Sequence, residues 1–225
     1  MSSLTPLHVY SALVRLRLRH RRDHRMSMPD FVARRPLSVA EYLRIEESSP
    51  RKHEYVAGEL FAMSGVTRRH NRIVLNIATR LLTAARAGPC SVLATDVLLQ
   101  AAEDVFYYPD VMVDCSPASD ADRTVRDPCV VVEVTSPRTS TIDRREKLAA
   151  YRKIDSVRAY LIVEQTGRRV EHHWRDATGA WWREELVDAQ QVPIPCLDIG
   201  LTFDEIYDGV TLPAVSEPDE VEYVT

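Results

Sequence analysis

Two stretches decide the reading of this chain: Tyr108-Pro109-Asp110-Val111-Met112-Val113 and Val130-Val131-Val132-Glu133-Val134-Thr135-Ser136-Pro137. Each is a short apolar run rich in β-branched residues, bounded by Pro and polar clusters, and so reads as a buried strand. Each also carries a carboxylate at one end: Asp110 precedes its run and Glu133 follows the valines. A carboxylate beside a buried strand is costly unless it is paired, hydrogen-bonded or bound to a cation. Two of them on consecutive strands predict a site for a hard divalent cation, Mg²⁺ or Mn²⁺, which takes oxygen ligands. Taken singly, each has a plain alternative: Asp110 as a turn residue after Pro109, Glu133 as an exposed strand end.

Working outward, Ser140-Thr141-Ile142-Asp143 has the pattern of a capping box and predicts a helix over 143–154. Asp143, Lys147 and Tyr151 then share one helix face. Lys147 is placed to stabilise phosphate charge or hold an attacking water near the two carboxylates; its alternative is a surface pair with Asp143. Val157 to Val163 predicts a central strand. Residues 168–175 and 181–187 predict a C-terminal hairpin, and 201–207 a short closing helix.

Upstream, Ser38-Val39-Ala40-Glu41 opens a helix with a capping box, and His53 to Ala57 and Glu59 to Met63 form a strand pair turning at Ala57-Gly58. Glu59 is a candidate to complete the acidic cluster as a ligand or base. Residues 69–87 predict an amphipathic helix with Ile73, Ile77, Leu81 and Ala84 along one stripe, widened by Val74, Ala78 and Leu82. His70, near its start, is a candidate for orienting a carboxylate. Ser91 to Gln100 reads as one strand. The order of elements predicts an α/β (mixed α+β) fold: a mixed central β-sheet flanked by helices.

The 225 residues fit one main domain over 36–210, between a basic N-terminal extension, 1–35, and an acidic tail, 211–225. Residues 1–25 hold six Arg and one Asp. That arm reads as a phosphate-touching extension, an organelle-type presequence or, by preference, translated upstream sequence with the start at Met26 or Met28. The body is mildly acidic, which argues against non-specific nucleic-acid binding over the whole surface but not against a local basic cleft. Nothing approaches the roughly 20 apolar residues of a bilayer span. The four cysteines lack any CxxC pair and read as reduced thiols of a cytoplasmic protein, with a zinc site disfavoured. A P-loop, a dinucleotide fingerprint and a Gly-x-Ser-x-Gly elbow are all absent.

Tyr108-Pro109-Asp110-Val111, then Val131-Val132-Glu133-Val134-Thr135-Ser136-Pro137, then Asp143-x-x-x-Lys147-x-x-x-Tyr151 together resemble the Uma-type restriction endonuclease family of the PD-(D/E)xK nuclease superfamily. Gly58-Glu59-Leu60, Met63-Ser64-Gly65 and His70 upstream, and Val157 to Val163 downstream, are similar to the same family. The resemblance implies a restriction endonuclease-like core acting on DNA, with Asp110, Glu133 and the backbone carbonyl of Val134 as metal ligands and Glu59 as an auxiliary acid. The position two after Glu133 is Thr135 where the superfamily has Lys, so the resemblance points to Lys147 as the displaced lysine. His70, Asp143 and Tyr151 are auxiliary candidates. Two-strand cutting implies a homodimer. The competing expectation is a nuclease fold without catalysis, binding nucleic acid or serving as a defence or mobile-element accessory; a third is a hydrolase of another phosphoester.

Overall fold

The structure is a computed structural model that describes residues 35–119, 121–135, 142–188 and 191–213. The basic arm, the acidic tail from 214, and Ser140 and Thr141 of the expected capping box lie outside the described residues.

Valine-rich strands covered on both faces need two layers of partners, and the chain supplies them. The main sheet runs in the order β11 (Trp181–Val187), β10 (Arg169–Arg175), β9 (Ala159–Glu164), β8 (Pro128–Thr135), β6 (Val111–Asp114), β3 (Ser91–Ala94). β8 and β9 are parallel and the other neighbours antiparallel, so the sheet is mixed as expected. Alternate residues point to opposite faces. Val111, Val113, Val130, Val132 and Val134 meet Ile73, Val74, Ile77 and Leu81 of α2 (Arg68–Ala85). On the other face Met112, Val131, Tyr160 and Ile162 share a core with Leu99, Tyr107 and Tyr151. Leu82, expected to widen the α2 stripe, is exposed.

The second layer is a sheet of its own, β2 (Glu59–Ala62), β1 (His53–Val56), β5 (Val105–Tyr107), β4 (Leu98–Ala102), β7 (Thr124–Val125). α1 (Val39–Ser48) has the predicted capping box, Ser38 with Glu41, and buries Tyr42 against Tyr55. The β1–β2 turn falls at Ala57 and Gly58, with φ of 47° and 95°. A Cβ at Gly58 would stand 2.4 Å from Pro36 Cβ, so only glycine admits the segment entering α1.

The expected single strand over 91–100 is two strands in different sheets. The break is at Thr95, whose φ is 56° and whose N–H donates to the carbonyl of Asp110. The C-terminal hairpin β10–β11 is present, and a further hairpin, β12 (Gln191–Ile194) with β13 (Ile199–Thr202), follows before α4 (Phe203–Ile206). The predicted helix over 143–154 opens as a π-helical segment, Asp143–Lys147, and continues as α3, Leu148–Tyr151.

The cysteines correct another expectation. Cys90 is paired with Cys115 and Cys129 with Cys196. The register that sets Ser91 opposite Asp114 places Cys90 opposite Cys115 at the next step. The β12–β13 turn carries Cys196 to Cys129. No helix among the described residues is long and apolar enough to cross a membrane.

Candidate active site

Register explains why the two carboxylates meet. β6 and β8 pair antiparallel with Val111 opposite Val132, so one further step sets Asp110 opposite Glu133. Asp110 Oδ2 accepts a hydrogen bond from the Val134 N–H at 2.7 Å, which clamps it onto the end of β8. His70 Nε2 lies 3.2 Å from the same oxygen. The Thr67 hydroxyl accepts from the His70 N–H at the start of α2, and Thr67 in turn donates to Gln165, which donates to the Thr135 carbonyl. This chain of bonds fastens the His70 turn to the end of β8. His70 therefore stands beside Asp110, and its buried Nδ1 has no partner among the described residues.

Lys147 is buried, and its Nζ lies 2.8 Å from Glu54 Oε1, 3.0 Å from Glu133 Oε1 and 3.8 Å from Asp143 Oδ1. Tyr151 OH donates to Glu133 Oε1 at 2.9 Å, and Tyr160 OH to the Asp143 carbonyl. The predicted face of Asp143, Lys147 and Tyr151 thus points inward at Glu133, although the first turn is π-helical. Such segments are rare and frequent at functional sites. Glu133 is buried, which removes its reading as an exposed strand end.

Glu59 does not join this group. It is exposed at the start of β2, opposite Val56. Glu54, one strand away on β1, stands against Lys147 instead. The signal was available: Glu54 is a carboxylate inside a half-buried strand, the same argument that singled out Asp110 and Glu133.

The electrostatics are lopsided. Burial, with Asp143, Asp110 and Glu54 close by, holds the Glu133 carboxyl well above the usual range, and Lys147 only partly offsets this. Burial alone would lower the Lys147 ammonium, but Glu133, Glu54 and Asp143 outweigh it and raise it. Burial and the neighbouring Glu133 push the Tyr151 phenol up. Lys147 is thus held charged among more carboxylates than it can neutralise. Asp110 and His70 open into a cleft of ≈ 340 Å³ that is also lined by Arg51, Lys52, Asn71 and Tyr108.

Residues 39–206 match the sequence profile of Uma2, described as "Putative restriction endonuclease". The chain belongs to the Uma2 family. It is 30% identical over 176 residues to "Uncharacterized protein slr1290" of Synechocystis sp. (strain ATCC 27184 / PCC 6803 / Kazusa), covering 77% of this chain and 93% of that one. It is 31% identical over 155 residues to "Uncharacterized protein sll1609" of the same organism, covering 67% and 88%. A solved structure, "a putative nuclease belonging to DUF820" from Anabaena variabilis ATCC 29413, superposes with a TM-score of 0.65 at 14% identity, over 78% of this chain and 100% of that chain. The Uma2 chain therefore has the mixed α/β, restriction endonuclease-like fold that its sequence resembles. Within that Uma2 fold, the Asp110, Glu133 and Lys147 neighbourhood lies at the end of the central strands.

Proposed function

We propose that this Uma2 protein is a divalent-metal-dependent endonuclease that hydrolyses phosphodiester bonds in DNA. The observation that carries the reading is the convergence of Lys147 on Glu133, Glu54 and Asp143, with Asp110 across the strand pair from Glu133, beside a cleft bearing Arg51 and Lys52. A hard cation such as Mg²⁺ or Mn²⁺ fits this donor set, because the oxygens are carboxylates and their charge exceeds that of the one buried lysine. Asp110 and Glu133, with the Val134 carbonyl, are the residues that would hold it. Bound there, the ion would supply Lewis-acid polarisation of the scissile phosphate.

The chain's own groups do the rest. The Val134 N–H and His70 fix the orientation of Asp110. Tyr151 fixes one oxygen of Glu133. Glu54 and Asp143 steer the Lys147 ammonium, which offers positive charge to a phosphate that gains negative charge in the transition state. Thr135 cannot offer that charge, and Lys147 reaches the carboxylates from the following helix in place of a strand lysine. Arg51 and Lys52 at the cleft suit the flanking phosphates. Cutting both strands calls for a homodimer of this chain.

Plasmid cleavage by the purified chain, with Mg²⁺ or Mn²⁺ against EDTA, tests the reading. Metal-dependent nicking or cutting lost in Asp110→Ala and in Lys147→Ala supports it. A folded, metal-binding chain that cleaves no DNA overturns it.

A further inference from the structure

The strands that carry the acidic site carry a second cluster at their other ends. Asp110 and Glu133 lie where β6 begins and β8 closes, whereas Cys115 directly follows β6 and Cys129 lies near the start of β8. Cys90 stands just before β3, its Cα 4.0 Å from that of Cys115. Cys196 enters from the β12–β13 turn, its Cα 6.3 Å from that of Cys129. The two pairs are not separate staples. The Sγ atoms of Cys115, Cys129 and Cys196 all lie within 4.8 Å of one another, and Cys90 is bonded to one of them. Four elements that are distant in sequence each contribute a single sulfur to one half-buried patch against the core.

A lone disulfide needs two sulfurs, and nothing in the packing of a strand pair requires a second disulfide alongside. A tetrathiolate ion does require four. With Zn–S bonds of about 2.3 Å, the edges of a ZnS₄ tetrahedron are about 3.8 Å; Cys115, Cys129 and Cys196 already keep their sulfurs no more than 4.8 Å apart, and opening the bonded pairs frees them to separate to that spacing. Closed sites with four cysteine ligands are structural and tie chain segments together. Here the tie would join β3, β6 and β8 to the β12–β13 hairpin, which forms a two-stranded sheet of its own.

We propose that the reduced chain binds one Zn²⁺ through Cys90, Cys115, Cys129 and Cys196, and that the two disulfides are the oxidised form of the same cluster. Two molecules of a dithiol interconvert the forms. Each dithiol gives two electrons and two protons to one S–S bond and closes to its own disulfide, leaving four thiols on the chain. Zn²⁺ then displaces the four thiol protons to solvent. The site is independent of the acidic cluster, so it stands or falls apart from the endonuclease reading.

The test uses the full chain, reduced with dithiol without air, loaded with Zn²⁺ and freed of excess metal and dithiol by gel filtration. Elemental analysis is expected to find a single zinc per reduced chain and none on the oxidised chain. Cobalt loaded in place of zinc should show the thiolate charge-transfer and tetrahedral d–d absorption of a CoS₄ centre. Asp110→Ala should retain both signals, and Cys129→Ser should lose the zinc. Because the cobalt spectrum reads the ligands in the wild-type chain, the test does not depend on whether a cysteine variant folds. A reduced chain that is folded by circular dichroism, exposes four titratable thiols and retains no zinc overturns the proposal. So does a cobalt spectrum without thiolate charge transfer, or a pair of disulfides that dithiol does not open in the folded chain.

Discussion

One π-helical segment feeds two charge clusters of opposite design. Lys147 turns inward, a single cation against Glu54, Glu133 and Asp143. Arg144, in the same segment, reaches Glu171 on β10, where one carboxylate meets Arg144 at 2.9 Å, Arg183 at 3.0 Å and His173 at 2.8 Å. Both glutamates are buried. Burial pushes both carboxyls up, yet Arg183, Arg144 and His173 bring Glu171 down to about 2, while Glu133 stays raised. The Glu171 cluster satisfies itself and reads as structure. The Glu133 carboxyl, crowded by Asp143, Asp110 and Glu54 and only partly offset by Lys147, favours its protonated form, and a perturbed group of this kind marks a candidate functional site.

The sharpest way to break this contrast is to remove an acid from the first cluster. Asp110→Ala and Glu133→Gln are expected to lower metal-dependent cleavage by about 10³-fold. Glu133→Gln should leave the melting temperature unchanged or raise it, because it thins a crowd of like charges; cleavage assays and calorimetry on the same preparations check both halves. Lys147→Met comes next. It strands buried carboxylates without a cation, at about 3–5 kcal/mol near neutral pH, and lowers cleavage about 10²-fold. Carboxyls whose folded pKa is raised take up protons on folding, so the stability deficit of Lys147→Met should shrink as the pH falls, as read by urea denaturation at two pH values.

Glu171→Gln sharpens the other side. The folded-state pKa is depressed, so its stabilisation is fully present above the ordinary carboxylate value and is lost as the pH falls towards about 2. The variant should lose about 1–3 kcal/mol near neutral pH and nothing at the acid end, with cleavage unaffected once the chain is folded. The smallest effect belongs to Glu59→Gln, which should stay within about 0.5 kcal/mol of the parent and cleave as it does. Its counterpart Glu54→Gln should cut more slowly by about tenfold, because Lys147 then has one fewer group to steer it.

What was legible in the sequence was local. Asp110 and Glu133 stood out because each ends an apolar run, and Lys147 because it shares a helical face with Asp143 and Tyr151. The capping box at Ser38 and the Ala57-Gly58 turn were readable for the same reason. Glu54 carried the same local signal, a carboxylate in a half-buried strand, but its pairing with Lys147 is not local: it comes only from the docking of β1 against the main sheet. The break at Thr95 hid inside an apolar run because no glycine marks its positive φ. The cysteines read as scattered because register, not sequence spacing, brings them together.

The placement of Glu54 and His70 ahead of the rest has a consequence during synthesis. A ribosome delivers these two early, then Asp110 and Glu133, and Lys147 and Tyr151 later, with β9, the parallel neighbour of β8, later still. A chain stalled before Asp143 therefore carries Glu54, Asp110 and Glu133 without the lysine that is braced between Glu54 and Glu133. Unfinished copies would lack the complete cluster, which closes only after most of the polypeptide has been made.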